Sequence, residues 1–272
     1  MKRFTTLAIL ALSSLAIAKE IPVAKQATTE TAIHIMAPSE DALSLFDGTT
    51  LKNWTPAKGD ETLWSVKDGM INGGDLQNPV PRNIWLISDK NYQNFELTFA
   101  IKFTDGGGPG LKNSGVQVRS LPIGKHVCGY QIDAGPTHPN RQVNGGLGYW
   151  GNIWDEHRRG PIVTAINQDQ LTKSIKQFNG WNTYKITCNG PNIKTWINGI
   201  LAHDYTEKQT DIIAADGIIA LQAHSGGKFL VHFKDIKIKE LPATADSTKW
   251  TDEGVLKSRP KKKKPTKKKK KK

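Results

Sequence analysis

The sequence predicts an all-β protein, a β-sandwich forming a single domain, and three observations carry this prediction. Several stretches alternate apolar and polar residues with a period of two, the pattern of a strand with one buried face. Turn dipeptides such as Asn-Gly and Asp-Gly separate these stretches. The segment that carries the pattern, from Leu43 to Leu241, is about 200 residues long, a size that one sandwich or barrel fills without a second domain.

The clearest strand is Phe95–Phe103, where apolar residues occupy every second position and Glu96, Thr98 and Lys102 lie between them. This alternation gives the strand one apolar and one polar face. Six further stretches show the same period, and no segment of comparable length shows a period of 3.6. In chain order they are Gly115–Arg119, Cys128–Asp133, Tyr184–Cys188, Ile193–Ile197, Ile218–His224 and Phe229–Ile238.

The first eighteen residues predict a signal peptide. Lys2 and Arg3 precede an apolar run that ends on Ala16-Ile17-Ala18, the small-x-small pattern that signal peptidase cleaves. Cleavage after Ala18 predicts a secreted or periplasmic protein, with residues 19–40 as a leader before a domain at 41–242. No later segment approaches the roughly 18 consecutive apolar residues of a membrane-spanning helix, so no membrane span is expected.

The net charge of +13 belongs to the C-terminal tail, residues 243–272. Twelve basic side chains lie from Lys257 to Lys272, and with Lys2 and Arg3 set aside, 24 basic residues face 25 acidic ones. The tail is therefore expected to be disordered. It could adhere to an anionic envelope polymer or serve only as a solubilising tail. Nucleic acid is a poor fit, because lysine alone gives phosphate attraction without base readout.

Cys128 and Cys188 are the only cysteines in the sequence. Export permits a disulfide between them. Their apolar-facing strand positions favour buried thiols instead.

Three predicted strands each offer a pair of polar side chains on one face, because residues at i and i+2 of a strand point the same way. A plain solvent-facing surface would carry Lys, Glu and Thr more often than Gln, Asp, Arg and His. The pairs therefore favour a polar ligand site over an ordinary solvated face. They are Gln117 with Arg119, Gln131 with Asp133, and Gln222 with His224.

Tryptophans and a charged loop add to this ligand site. Sugar C–H faces stack on aromatic rings, for which Trp150, Trp154 and Trp196 are candidates, whereas Trp54, Trp64, Trp85 and Trp181 adjoin apolar strands and are expected in the core. The cluster Asp155-Glu-His-Arg-Arg159 suits acid/base work and anion stabilisation, and it also suits a solvated, salt-bridged loop.

Six strings, in this order along the chain, resemble the 3-keto-disaccharide hydrolase domain family. They are Leu45-Phe-Asp-Gly-Thr-Thr-Leu-Lys-Asn-Trp54, Asn113-Ser-Gly-Val-Gln-Val-Arg-Ser120, Gly129-Tyr-Gln-Ile-Asp133, Ile153-Trp-Asp-Glu-His-Arg-Arg-Gly160, Trp196-Ile-Asn-Gly199 and Leu221-Gln-Ala-His-Ser-Gly226. The resemblance implies a concanavalin A-like jelly roll that cleaves glycosides oxidised at C3, by hydrolysis or by β-elimination and hydration. His157 departs from the family pattern, in which we expect a small residue there.

The resemblance also implies roles for individual residues. His224 or Glu156 would be the base, and Asp133 and Arg158 would orient substrate or stabilise charge. A divalent cation could polarise the ketone, and His224, Asp133 and Glu156 carry suitable ligand atoms. The substrate-binding side chains implied are Asn113, Gln117, Arg119, Gln131, Trp154, Trp196 and Gln222.

Two other functions fit the same sequence. A non-catalytic carbohydrate-binding module can share the fold, since fold alone does not fix function. In an envelope adhesion protein, the lysine tail would instead be the part that binds.

Overall fold

The computed structural model describes residues 35–136, 147–209 and 215–245, which fold as two antiparallel β-sheets packed face to face. The predicted all-β sandwich is confirmed. The signal peptide, most of the leader and nearly all of the lysine-rich tail lie outside the described residues and stay predictions. Within the described part, no helix is both long and apolar enough to cross a bilayer.

Fifteen strands and one short helix make up the described fold. The strands are β1 (Leu43–Ser44), β2 (Trp54–Pro56), β3 (Trp64–Lys67), β4 (Met70–Asp75), β5 (Ile84–Tyr92), β6 (Phe95–Asp105), β7 (Ser114–Ile123), β8 (His126–Ala134), β9 (Ile153–Glu156), β10 (Gly160–Val163), β11 (Asn182–Asn189), β12 (Asn192–Ile197), β13 (Ile200–Thr206), β14 (Gly217–Ala223) and β15 (Phe229–Glu240). Helix α1 spans Gln168–Ser174, and a 3₁₀ turn spans Glu61–Leu63.

One sheet, here called the back sheet, has the strand order β13-β12-β11-β6-β15-β4-β3, and β1 pairs with the end of β15. The other, the front sheet, has the order β10-β9-β8-β7-β14-β5-β2. Each sheet combines consecutive strands, such as β11-β12-β13 and β7-β8-β9-β10, with strands that are far apart in the chain, such as β6 with β15 and β7 with β14.

The core lies between the sheets and follows the period-two pattern. In β6, Phe95, Leu97, Phe99, Ile101 and Phe103 are all buried and point inward. Buried side chains from three neighbouring strands of the front sheet pack against them. These are Val116, Val118, Tyr130, Ile132, Ile219 and Leu221.

The outer face of the front sheet is also withdrawn from water. All seven residues of β14 are buried, although only every second one can face the core. On the outer side, Trp85, Val127, Ile218 and Ala220 form a second apolar cluster with Ala57. The front sheet therefore has two buried faces, a core face and an outer face that is partly apolar and partly polar.

The two cysteines are buried thiols that form no disulfide. Burial raises the pKa of Cys188 to about 11, against the opposing effect of the Arg119 charge. The Cys188 side chain therefore packs as a small apolar group in the core.

Candidate active site

Four polar side chains lie side by side on the outer face of the front sheet, and we call them the polar floor: Gln117, Gln131, Asp133 and Gln222. Strand pairing places them in two rows. Gln222 lies opposite Gly115, which lies opposite Asp133, and one row further along Gln117 lies opposite Gln131. The predicted strand parity is thus confirmed for these four residues, which come from β14, β7 and β8.

A chain of hydrogen bonds fixes three of the floor side chains. Ser120 Oγ donates to Gln117 Oε1 at 2.6 Å, and Gln117 Nε2 donates to Gln131 Oε1 at 3.2 Å. Gln131 Nε2 then donates to Asp133 Oδ1 at 2.7 Å. Each amide of the chain uses its oxygen and its nitrogen, so neither can rotate without losing a bond.

Gly115 makes this chain possible. A Cβ added at Gly115 would lie 2.5 Å from Gln131 Cγ, far inside a normal contact. The side chain of Gln131 therefore crosses over the bare backbone of Gly115 on its way to Asp133.

Asp133 is a buried carboxyl group, only 3% exposed. Burial raises its pKa to about 8; the bond from Gln131 opposes this shift and the nearby charge of Glu156 adds to it. At pH 7 Asp133 is therefore mainly protonated and can donate a hydrogen bond.

Trp154 and Glu156 form the rim of the floor. Trp154 on β9 lies directly opposite Gln131 and is 36% exposed, so a ligand can reach its ring. Glu156 follows two residues later on the same face. Burial raises its pKa to about 7, with a further contribution from the charge of Asp155.

His157 lies beside this rim. Its Nε2 is 3.4 Å from Glu156 Oε1, and its ring lies 4.4 Å from the ring of His126, centroid to centroid. The backbone of His157 has φ +58°, a left-handed conformation in which Asn, Asp and His occur more often than other non-glycine residues. The residue that departs from the family pattern thus touches the candidate base.

His224 and Asn113 lie at the opposite end of the floor. The amide of His224 donates to the carbonyl of Asn113, which continues the β14–β7 ladder by one residue beyond Ala223. His224 Nδ1 lies 2.8 Å from the carbonyl of Ser225, so Nδ1 carries the proton and Nε2 carries the lone pair. Burial lowers the pKa of His224, and the ring is neutral at pH 7.

Arg119 does not reach the polar floor, contrary to the parity prediction. It has φ +47° at an irregularity of β7, which turns its side chain away from Gln117. Its guanidinium donates to the carbonyls of Gln93 and Gly190 and to Asn94 Oδ1. These contacts join β7 to the β5–β6 and β11–β12 turns, so Arg119 stabilises the fold and does not line the floor.

Arg158 also lies away from the floor. Its Nε donates to Asp155 Oδ1 at 2.6 Å, and its guanidinium lies 4.9 Å from the Tyr130 ring centre. Asp155 and Tyr130 face the interior, opposite to Glu156. Arg159 bonds Asp155 and Glu207, and Glu207 accepts from the Tyr130 hydroxyl. Of the charged loop, therefore, Glu156 faces the floor, whereas Arg158 belongs to a buried ion network beneath it.

The structure places several tryptophans elsewhere than predicted. Trp150 is fully buried in the core, and Trp196 lies on the outer side of the back sheet beside Lys194. Neither reaches the floor. Trp181 lies near Lys102 and Lys234 on that same outer side rather than in the core. Trp85 is buried as expected, but on the outer face of the front sheet, directly opposite Gln222.

The proposed metal ligands do not converge. Among the described residues, no group of three His, Cys, Asp or Glu side chains is placed to hold a metal ion. His224 and Glu156 lie three rows apart along the strands, roughly 20 Å at about 6.7 Å per row. These residues do not fit a shared cation.

Comparisons with known proteins agree with the fold. A glycosyl hydrolase candidate from Parabacteroides distasonis ATCC 8503 superposes with a TM-score of 0.52 at 21% identity, covering 74% of this chain and 94% of that one. The Emp46p carbohydrate recognition domain superposes with a TM-score of 0.51 at 10% identity, covering 74% of this chain and 97% of that one. A carbohydrate-binding module of Bacillus subtilis, CBM66, has a TM-score of 0.49 at 15% identity, covering 69% of this chain and 96% of that one. No curated protein matches.

The first two similarities confirm the jelly-roll sandwich but do not assign a reaction. The family match is more specific, because it spans residues 41–239 and so includes the whole polar floor, the rim and His224. This chain therefore belongs to the family of 3-keto-alpha-glucoside-1,2-lyase-like domains.

Proposed function

We propose that this domain cleaves glycosides oxidised at C3, with the polar floor and Glu156 as its active site. The family and its glycosyl hydrolase-like relative support a carbohydrate-active protein. The observation that carries the proposal is the pair of carboxyl groups on one face, Glu156 with a pKa near 7 and Asp133 with a pKa near 8. Buried carboxyls tuned to neutral pH are typical of acid/base catalysis and costly in a passive binding surface.

The first step is proton abstraction. A ketone at C3 acidifies the C2 proton, and the Glu156 carboxylate accepts it. The C–H electron pair moves into a C2–C3 double bond, and the C3 oxygen becomes an enolate. Neutral Asp133 donates a hydrogen bond to this oxygen, and the low-polarity surroundings strengthen that bond.

The second step is elimination. The enolate collapses to restore the C3 carbonyl, a C1–C2 double bond forms, and the bond from C1 to the glycosidic oxygen breaks. The proton held by Glu156 passes to the departing oxygen, which leaves as an alcohol. Water can then add across the double bond, with hydroxyl at C1 and hydrogen at C2, which gives the product of hydrolysis.

His224 is the alternative base. Its Nε2 lone pair suits proton abstraction, but it lies at the far end of the floor from Trp154 and Glu156. Glu156 lies next to Trp154, the exposed ring that a ligand can reach, so Glu156 is the better-placed base.

The test is turnover of 3-keto-trehalose and of 3-keto-β-glucosides, followed by enone absorbance and by detection of the released sugar. We expect turnover of the ketosugars and none of the unoxidised sugars. Glu156→Gln should lower kcat by about 100-fold or more while ligand still binds. The exposed Glu61→Gln is a matched control and should have no effect.

Activity should also follow a bell-shaped pH profile. It should rise as Glu156 loses its proton near pH 7 and fall as Asp133 loses its proton near pH 8. If Glu156→Gln keeps full activity and His224→Ala abolishes it, His224 is the base. Saturable binding of the ketosugars without any product would identify a carbohydrate-binding module instead.

A further inference from the structure

We propose that Gln222 and Trp85 form a second sugar subsite, which hydrogen-bonds the hydroxyl-bearing sugar that leaves the reacting ring. This subsite deepens the proposed function and rests on it for the identity of the ligand. No role in binding was predicted for Trp85.

The amide of Gln222 is buried and unsatisfied. Its side chain is 0% exposed, and neither Oε1 nor Nε2 has a hydrogen-bond partner within the described part of the chain. The two neighbouring amides, Gln117 and Gln131, each use both of their polar atoms. A buried amide without partners costs on the order of 1–3 kcal/mol, so Gln222 needs a partner that the described residues do not supply.

Trp85 supplies a second unsatisfied group beside it. Trp85 and Gln222 are directly opposite each other on β5 and β14, where same-face Cβ atoms lie about 5 Å apart. The indole is 0% exposed, and its Nε1 also has no partner in the described segments. Two adjacent orphans on the face that carries the floor point to one shared ligand.

The chemistry of these groups matches a sugar. The amide offers two donors and one acceptor oxygen, and the indole offers one more donor. Vicinal hydroxyls both donate and accept, so a diol can satisfy the amide and the indole together. The buried indole ring and Ala220 make the immediate surroundings of the Gln222 amide apolar.

The spacing requires more than one ring. Trp85 lies on β5 and Trp154 on β9, four strand spacings apart in the front sheet. At about 4.8 Å each these amount to about 19 Å, more than a single pyranose can bridge. The ring that reacts would lie near Trp154 and Glu156, and the departing ring near Trp85 and Gln222.

The test compares two ligands by calorimetry in a Glu156→Gln background that prevents turnover. Gln222→Met keeps the side-chain volume and removes the polar atoms, and Trp85→Phe removes the indole N–H together with part of the ring. Each should weaken 3-keto-trehalose binding by about tenfold, since one hydrogen bond is lost. Methyl 3-keto-glucoside, which lacks the second ring, should bind each variant as tightly as before.

Thermal unfolding gives a second readout. Because Gln222→Met removes an unsatisfied buried group at nearly constant volume, its Tm should be unchanged or higher, whereas Gln117→Met should lower Tm because Gln131 Oε1 loses its donor. Trp64→Phe is the matched control: Trp64 Nε1 is also buried without a partner in the described residues, but its ring packs in the core. It should not alter binding.

Several outcomes would overturn the subsite. These are an unchanged affinity for 3-keto-trehalose in Gln222→Met, equal losses for both ligands, or no binding of 3-keto-trehalose at all. Turnover of 3-keto-glycosides that ignores Gln222 and Trp85 would refute the subsite and leave the proposed function standing. If binding depends on both residues but the unsubstituted protein shows no turnover, the subsite stands and the proposed function is refuted.

Discussion

At the scale of single residues, Asp133 carries a clear prediction about stability. Its folded-state pKa of about 8 lies above the ordinary value of 3.8. The stability that the protonated form provides is therefore fully present below about pH 4 and is lost as the pH rises through 8.

Asp133→Asn does not titrate, and the Asn oxygen can still accept from Gln131. As the pH rises from 5 to 8, the free energy of unfolding of the variant should increase by about 3 kcal/mol relative to that of the unsubstituted protein, measured by urea unfolding. Asp47→Asn is the control. Bonds from Thr50 and Thr49 hold the pKa of Asp47 well below its usual range, so its effect should stay constant over this interval. A constant difference for Asp133→Asn as well would show that this carboxyl is ionised throughout.

At the scale of elements, the β9–β10 hairpin holds Glu156 in place through charges on its other side. Asp155 is fully buried and bonds both Arg158 and Arg159. Asp155→Asn should lower the free energy of unfolding by about 3 kcal/mol or more, because it leaves buried guanidinium charge uncompensated.

The control for this prediction is the exposed ion pair between Lys194 and Asp204, at 2.7 Å. Asp204→Asn should cost less than about 1 kcal/mol in the same urea titration. Equal losses for the two variants would mean that the hairpin network contributes no more than a surface pair.

Strand alternation was enough to predict much of the fold and four floor residues. A period of two fixes which residues share a face, and that information is local. It does not foresee a left-handed residue, so Arg119 was assigned to the wrong side of β7. It also does not say which face of a doubly buried sheet an apolar residue occupies, which is why Trp85 was expected in the core. Arg158 follows the end of β9, where alternation no longer applies.

At the scale of the whole molecule, the sequence divides into a near-neutral domain and a cationic tail that lies outside the described residues. We expect a chain ending at Leu256 to unfold at the same Tm as the full chain. The full chain should be retained on an anionic resin such as dextran sulfate and released by salt, since exposed charges are screened within about 10 Å at 0.1 M. The shortened chain should flow through. Equal retention of both would place the adhesive surface on the domain.

The alternation of β7, β8 and β14 has one more consequence, for how the chain finds its pairing. Each floor residue is followed or preceded by a core residue, as in Val116-Gln117-Val118 and Ile132-Asp133. A slip of one position would drive three amides and a carboxyl into the hydrocarbon interior, at a cost of about 1–3 kcal/mol for each unpaired group. The four floor side chains therefore also help to fix the strand register during folding.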